Sequence, residues 1–118
     1  MSYDKNNIFA KILRGEIPCK KVYENDYVLS FHDINPQKKI HVLVIPKGEY
    51  KDLDDFTTNA SDKEIVEFNK AITHVSKLVG AKESGYRALT NLGSDGGQEV
   101  PHLHFHIFAG EKIGKMVN

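Results

Sequence analysis

Apolar and polar positions alternate in short blocks along this chain, and the blocks predict a helix, three strands, a long helix and two strands. Residues 8–14 set Ile8, Phe9, Ile12 and Leu13 at helical spacing behind Asn6 or Asn7 as the cap, with Gly15 as the stop and Pro18 beyond it. Residues 22–24 and 27–32 read as two strands meeting at an Asn25-Asp26 turn, and Asn35-Pro36 breaks the pattern. Residues 40–45 form a β-branched run closed by Pro46, the mark of a central strand buried on both faces. Residues 47–59 are polar, with Leu53 and Phe56 as anchors. Ser61-Asp62-Lys63-Glu64 has the form of a capping box, and Ile65, Phe68, Ile72, Val75 and Val79 then make one helical face that Gly80 ends. Residues 86–91 read as a strand, and a glycine-rich loop at 93–97 precedes the last one. Hairpin connections among these elements predict the α+β class: a single domain over residues 1–118 with an antiparallel five-stranded sheet and two helices. Residues 1–5 and 112–118 are expected to be flexible tails.

The last strand carries the densest pattern. Pro101-His102-Leu103-His104-Phe105-His106-Ile107-Phe108 alternates histidine with bulky apolar residues. In a strand, neighbouring side chains point to opposite faces, so His102, His104 and His106 would share one face and Leu103, Phe105 and Ile107 the other.

Composition narrows the possibilities. The 118 residues carry 16 basic and 16 acidic side chains, so no polybasic surface for nucleic acid or membrane is expected. The single Cys19 can form neither an internal disulfide nor a cysteine zinc cluster, and reads as an ordinary residue near a turn. No apolar run is long enough to span a bilayer, and residues 1–7 lack a signal-peptide core; a cytoplasmic setting fits. His74 lies outside the apolar face of the long helix and reads as solvated, and His32 faces away from Phe31 and Asp33.

Three readings of the histidine row stand side by side. It can simply wet an exposed sheet face. It can hold zinc, but His102 and His106 would have Cα atoms roughly 13 Å apart on a straight strand, while zinc needs each nitrogen at about 2.0 Å. A two-histidine zinc site would need a carboxylate or His41 nearby. Or it can do nucleophilic and acid–base chemistry, because neutral imidazole attacks and leaves well near pH 7. Gly93, Gly96 and Gly97 favour the third reading, since they permit positive φ and close approach and let backbone N–H groups meet an anion. Together the two features point to phosphate chemistry.

The histidine run resembles the signature of the histidine-triad (HIT) family, and the likeness extends along nearly the whole chain. Residues 8–18 resemble its first helix, Phe31-His32-Asp33-Ile34-Asn35-Pro36-Gln37 its nucleoside-contacting segment, residues 40–46 its central strand and residues 91–100 its phosphate loop. The branch most similar is that of bacterial-type purine nucleoside phosphoramidases. The resemblance implies hydrolysis of the P–N bond of a nucleoside 5′-phosphoramidate. His104 would be the nucleophile, and His106 the phosphate contact and proton partner. His102 would orient His104 through its backbone carbonyl, and His41 would join the proton network. Asp33 would accept from the ribose hydroxyls, Ile34 and Phe31 would line the base pocket unless they are simply core, and Asn91, Gly97, Gln98 and Glu99 would surround the phosphate. It further implies an AMP- or GMP-like purine nucleotide as ligand, a homodimer with a continuous ten-stranded sheet, and no required cofactor or catalytic zinc.

Two departures stand out. Glu99 sits where eukaryotic members carry serine, replacing a hydroxyl donor with an acceptor. The chain has no tryptophan, so the contact that some relatives' tails make to the leaving group is altered. His106 stands where nucleotidyltransferase members have glutamine, which favours water as the final acceptor. Dinucleoside polyphosphate hydrolysis and a nucleotide-binding scaffold of little turnover are the alternatives.

Overall fold

The computed structural model describes residues 2–116. The outermost tail residues Met1, Val117 and Asn118 lie outside the described residues. The element order is α1 (Ile8–Leu13), β1 (Lys21–Glu24), β2 (Val28–His32), β3 (Ile40–Pro46), α2 (Leu53–Asn59), α3 (Asp62–Leu78), β4 (Arg87–Leu89) and β5 (Phe105–Ala109). The strands form one antiparallel sheet in the order β1-β2-β3-β5-β4, with β3 in the middle as its apolar run requires.

Local chemistry accounts for the boundaries. Asn7 caps α1 by accepting from the Ala10 N–H at 2.9 Å, and Gly15 leaves the helix with φ 77°. Asn25 Oδ1 accepts from the Tyr27 and Val28 N–H groups and makes the β1–β2 turn. The capping box at α3 is complete: Ser61 Oγ accepts from the Glu64 N–H, and Glu64 accepts from the Ser61 N–H.

The expected pair of helices is a set of three. The polar stretch before α3 contains α2, capped by Asp52, whose carboxylate accepts from the Asp55 N–H at 2.8 Å. Phe56 is its single buried residue, packed edge-on against Tyr50 and Phe68. Two apolar residues in seven, Leu53 and Phe56, are too few to set a helical period. Leu53, the other expected anchor, is exposed, and so is Ile8 in α1.

The sheet buries both faces. On one, α3 packs Phe68, Ile72 and Val75 against Val28, Val42, Val44, Leu103 and Ile107. On the other, Phe9 from α1 meets Leu29, Phe31, Leu43 and Ile45. The α1 helix is short and covers that second face only in part. His41, His104 and His106 belong to this face.

Both expected tails make contacts within the fold: Tyr3 packs on His102, and Arg87 donates to the Gly114 carbonyl at 2.7 Å. Just before the second tail, the Lys39 N–H donates to Glu111.

Candidate active site

The histidine row divides differently from the expected straight strand. Regular β5 begins at Phe105, so His102 and His104 lie on the chain leading into it. The facial division nonetheless holds: Leu103, Phe105 and Ile107 pack with the α3 side. On the opposite side the His104 ring sits edge-on to Phe9, with centroids 4.9 Å apart, and to His106 at 5.1 Å. Phe108 stacks on His106 and lies against His41. Antiparallel register sets His41 opposite Phe108 and Leu43 opposite His106, which brings His41 and His106 together diagonally across β3 and β5.

Hydrogen bonds fix the proton on every one of these rings. His102 is fully buried, with Nε2 2.9 Å from the Pro46 carbonyl and Nδ1 2.5 Å from the Tyr3 hydroxyl. A carbonyl can only accept, so Nε2 carries the proton and Nδ1 accepts from Tyr3. His104 Nδ1 lies 2.7 Å from the His102 carbonyl and must therefore be N–H, which leaves Nε2 as a bare lone pair. A second chain of bonds runs the other way. The Gln37 N–H donates to His41 Nδ1 at 3.1 Å, so the His41 proton is on Nε2 and points to His106 Nδ1 at 2.9 Å. His106 accepts at Nδ1 and thus presents Nε2–H outward. One chain ends in a lone pair and the other in a donor, on adjacent rings.

His104 is only 6% exposed, yet its Nε2 is not sealed. Among the described residues no buried side-chain nitrogen or oxygen lacks a partner, whereas His104 Nε2 and His106 Nε2 have none. Both atoms therefore reach solvent.

Burial keeps the rings neutral. It pushes His102 down to about 4, with the Pro46 carbonyl opposing and His104 adding to the fall. It pushes His106 down to about 4, helped by His104 and His41. His104 and His41 are lowered for the same first reason; the His102 carbonyl, Asp33 and Glu99 oppose it at His104, and Asp33 opposes it at His41.

Asp33 joins this cluster. Its Oδ2 lies 3.4 Å from His41 Nε2, and its Oδ1 accepts from the Asn35 N–H at 2.8 Å. Asp33, His41 and His106 offer three ligand atoms within 4.8 Å of one another, the spacing a cation could use. The tautomer works against it. His41 could ligate at Nε2 only by moving its proton to Nδ1, where it would meet the Gln37 N–H. His102 can supply no third imidazole, since both its nitrogens are bonded.

The remaining expected residues separate into site and scaffold. Ile34 is 98% exposed beside Asp33 and belongs to no core, while Phe31 is core, edge-on to Phe9. Asn91 is half-buried with no side-chain partner among the described residues. The glycine loop is more self-contained than a simple anion nest. Gly93 and Gly97 have φ 71° and 78°, and at Gly96 a Cβ would meet the Leu92 carbonyl oxygen at 2.3 Å. The Gly97 N–H bonds the Ser94 carbonyl and the Gln98 N–H the Gly93 carbonyl. The Gln98 side chain donates to the Lys51 and Val100 carbonyls and accepts from the Gly93 N–H. Gly97 and Gln98 thus shape the loop instead of facing an anion with these donors, because the turn has already taken them. Glu99 is exposed, and its N–H has no partner among the described residues.

Outside this cluster, His32 is exposed on the other face, and His74 is exposed with its ring against Tyr23. Cys19 is half-buried at the edge of the α1-side core. Phe108, Gln37 and Tyr3 went unread in the sequence. Period-two alternation alone would have put Phe108 on the histidine face, whereas the roles of Gln37 and Tyr3 rest on contacts with no local signature. Among the described residues no helix is long and apolar enough to cross a membrane.

The five-stranded antiparallel sheet presents a bare imidazole nitrogen beside an imidazole donor, an arrangement chemically able to act as nucleophile and proton or anion partner. The chain belongs to the HIT domain family, whose model matches residues 14–113. It is 57% identical over 116 residues to an uncharacterized 13.2 kDa HIT-like protein of Azospirillum brasilense, covering 98% of this chain and 95% of that one. It is 36% identical over 116 residues to the purine nucleoside phosphoramidase of Escherichia coli K12, covering 96% and 94%. Among solved structures, the HIT family hydrolase of Clostridium thermocellum superimposes with a TM-score of 0.84 at 33% identity, covering 98% of this chain and 99% of that chain.

Proposed function

We propose that this protein hydrolyses purine nucleoside 5′-phosphoramidates, releasing a nucleoside monophosphate such as AMP or GMP and an amine. The observation that carries the reading is the Nδ1–H bond from His104 to the His102 carbonyl, which leaves Nε2 unprotonated and reachable. The E. coli relative's name gives the substrate class, and the likeness to a HIT family hydrolase gives the reaction class.

The lone pair of His104 Nε2 attacks the α-phosphorus. The P–N bond to the amine breaks with its electron pair going to nitrogen, which takes a proton from water. Water then attacks the same phosphorus and gives up a proton, which neutralises the hydroxide left when the amine was protonated; the P–N bond to His104 breaks with its electron pair returning to Nε2, and the nucleoside monophosphate leaves. His106 Nε2–H holds a phosphoryl oxygen through both steps, with His41 fixing its tautomer. Asp33 accepts from the ribose hydroxyls, Ile34 covers the purine, and Asn91 with the Glu99 N–H meets the phosphate. No cofactor is required. A homodimer fits the same reading, because β4 is a three-residue edge strand that a second copy can extend into a ten-stranded sheet.

Glu99 favours phosphoramidates over dinucleoside polyphosphates. A carboxylate on the phosphate loop attracts a cationic amine and repels a departing phosphate chain. The test compares kcat/KM for an adenosine phosphoramidate of a cationic amine with that for diadenosine polyphosphates, in wild type and Glu99→Gln. The reading predicts a preference for the phosphoramidate that narrows in the variant. Equal or reversed preference in wild type contradicts it, and nucleotide binding without turnover of either substrate supports a scaffold instead.

A further inference from the structure

Tyr3 lies in a segment that the sequence marks as a tail, yet it ends on the most buried histidine of the site. Its hydroxyl is 2.5 Å from His102 Nδ1 and its ring is edge-on to the imidazole, with centroids 5.6 Å apart. The approach is built. The Asp4 carboxylate accepts from the Asn6 N–H, the Asn7 side chain donates to the Asp4 carbonyl at 2.7 Å, and Arg14 at the end of α1 donates to the Lys5 carbonyl at 2.8 Å. Residues 4–7 are thus tied to both ends of α1, and Tyr3 leaves them in a fixed direction.

We propose that Tyr3 is a positioning residue for the reaction proposed above, acting through His102 to select the tautomer of His104. The hydroxyl donates to His102 Nδ1, so the His102 proton stays on Nε2 and bonds the Pro46 carbonyl at the end of β3. An imidazole held at both nitrogens holds its own backbone, and the His102 carbonyl is the group that accepts from His104 Nδ1–H. Remove the hydroxyl, and His102 Nδ1 is a buried acceptor with no donor. The ring then turns or takes in water, and the carbonyl shifts. His104 is released toward the Nε2–H form, which puts a proton where the attacking lone pair must be. The inference rests on the proposed function for its chemistry, but the tautomer can be read without any substrate.

The test is Tyr3→Phe, which keeps the ring and removes only the donor. Nitrogen-15 NMR of the histidine rings reports the tautomers directly. Wild type is expected to show His102 as Nε2–H and His104 as Nδ1–H. In Tyr3→Phe, His104 becomes a mixture, and kcat for a phosphoramidate falls roughly ten- to a hundredfold with KM held within about twofold. Ser61→Ala, which weakens the remote α3 cap, lowers thermal stability without moving either the His104 signals or kcat. A His104 that stays purely Nδ1–H in Tyr3→Phe overturns the proposal. If wild type turns over no phosphoramidate, the function reading fails, while the nitrogen shifts still decide the role of Tyr3.

Discussion

His104 Nδ1 faces the carbonyl of His102, two residues upstream, at 2.7 Å, and that one bond decides which nitrogen of His104 keeps a free lone pair. A lone histidine in water divides its proton between two nitrogens. Here a backbone acceptor holds it on the inner one, and burial keeps the ring from taking a second proton.

The first consequence concerns rate against pH. Burial lowers His104 from the ordinary imidazole value of 6.5, and pushes its neighbour His106 down to about 4. The acid limb of kcat/KM should therefore have its midpoint below pH 6.5. A profile of kcat/KM between pH 4 and 8 checks this, and a midpoint at or above 6.5 contradicts it.

Stability should follow the same groups. His102 and His106 titrate near 4 when folded and near 6.5 when unfolded, so between those values the unfolded chain binds more protons. Their contribution is fully present above 6.5 and is lost as pH falls through the window toward 4. The slope is up to about 1.4 kcal/mol per pH unit for each histidine. Glu24 acts lower, between 4.5 and about 2. Urea unfolding at intervals from pH 7 to 4 should show the loss begin before the carboxylates titrate. A level stability down to pH 5 would sink this account of buried neutral rings.

The glycine loop at residues 93–97 makes a mutational prediction. Gln98 joins the Gly93 N–H to the Lys51 and Val100 carbonyls, so Gln98→Ala should cost about 1–3 kcal/mol. It should also raise KM for a phosphoramidate several-fold. Gly96→Ala disturbs the same loop by another route, because the Leu92 carbonyl it would meet is backbone and cannot swing aside. Unchanged KM in both variants would remove this loop from the proposed substrate site.

Metal is a separate matter. Asp33, His41 and His106 have ligand spacing, but the Gln37 N–H holds His41 in the wrong tautomer for a cation. Extensive dialysis against chelator should leave kcat/KM and thermal stability unchanged. A loss of either that zinc restores would contradict the tautomer argument.

Much of this was legible in sequence because periodicity survives imperfect geometry. The five strands, an asparagine cap at position 6 or 7 (in the structure, Asn7) and the Ser61 capping box follow from local pattern and chemistry. The facial separation of His104 and His106 from Leu103 and Ile107 was also legible, even though regular β5 starts only at Phe105. What local pattern could not supply was contact across distance. Tyr3 and His102 are 99 positions apart, and His41 and His106 are 65 apart. Phe31 and Ile34 look alike in sequence, yet one is core and the other stands in solvent, because the segment leaves the sheet after His32. Helix α2 has no local signature, since Leu53 and Phe56 alone set no helical period.

The central claim is that His104 Nε2 forms the bond to phosphorus. The most direct measurement is rapid quenching of the enzyme with an adenosine phosphoramidate, followed by mass analysis of the peptide spanning residues 102–106. The account predicts a transient adenylyl adduct on His104 in wild type, and in His104→Ala no adduct and no turnover although AMP still binds. Full turnover in His104→Ala, or an adduct on another histidine, would contradict it.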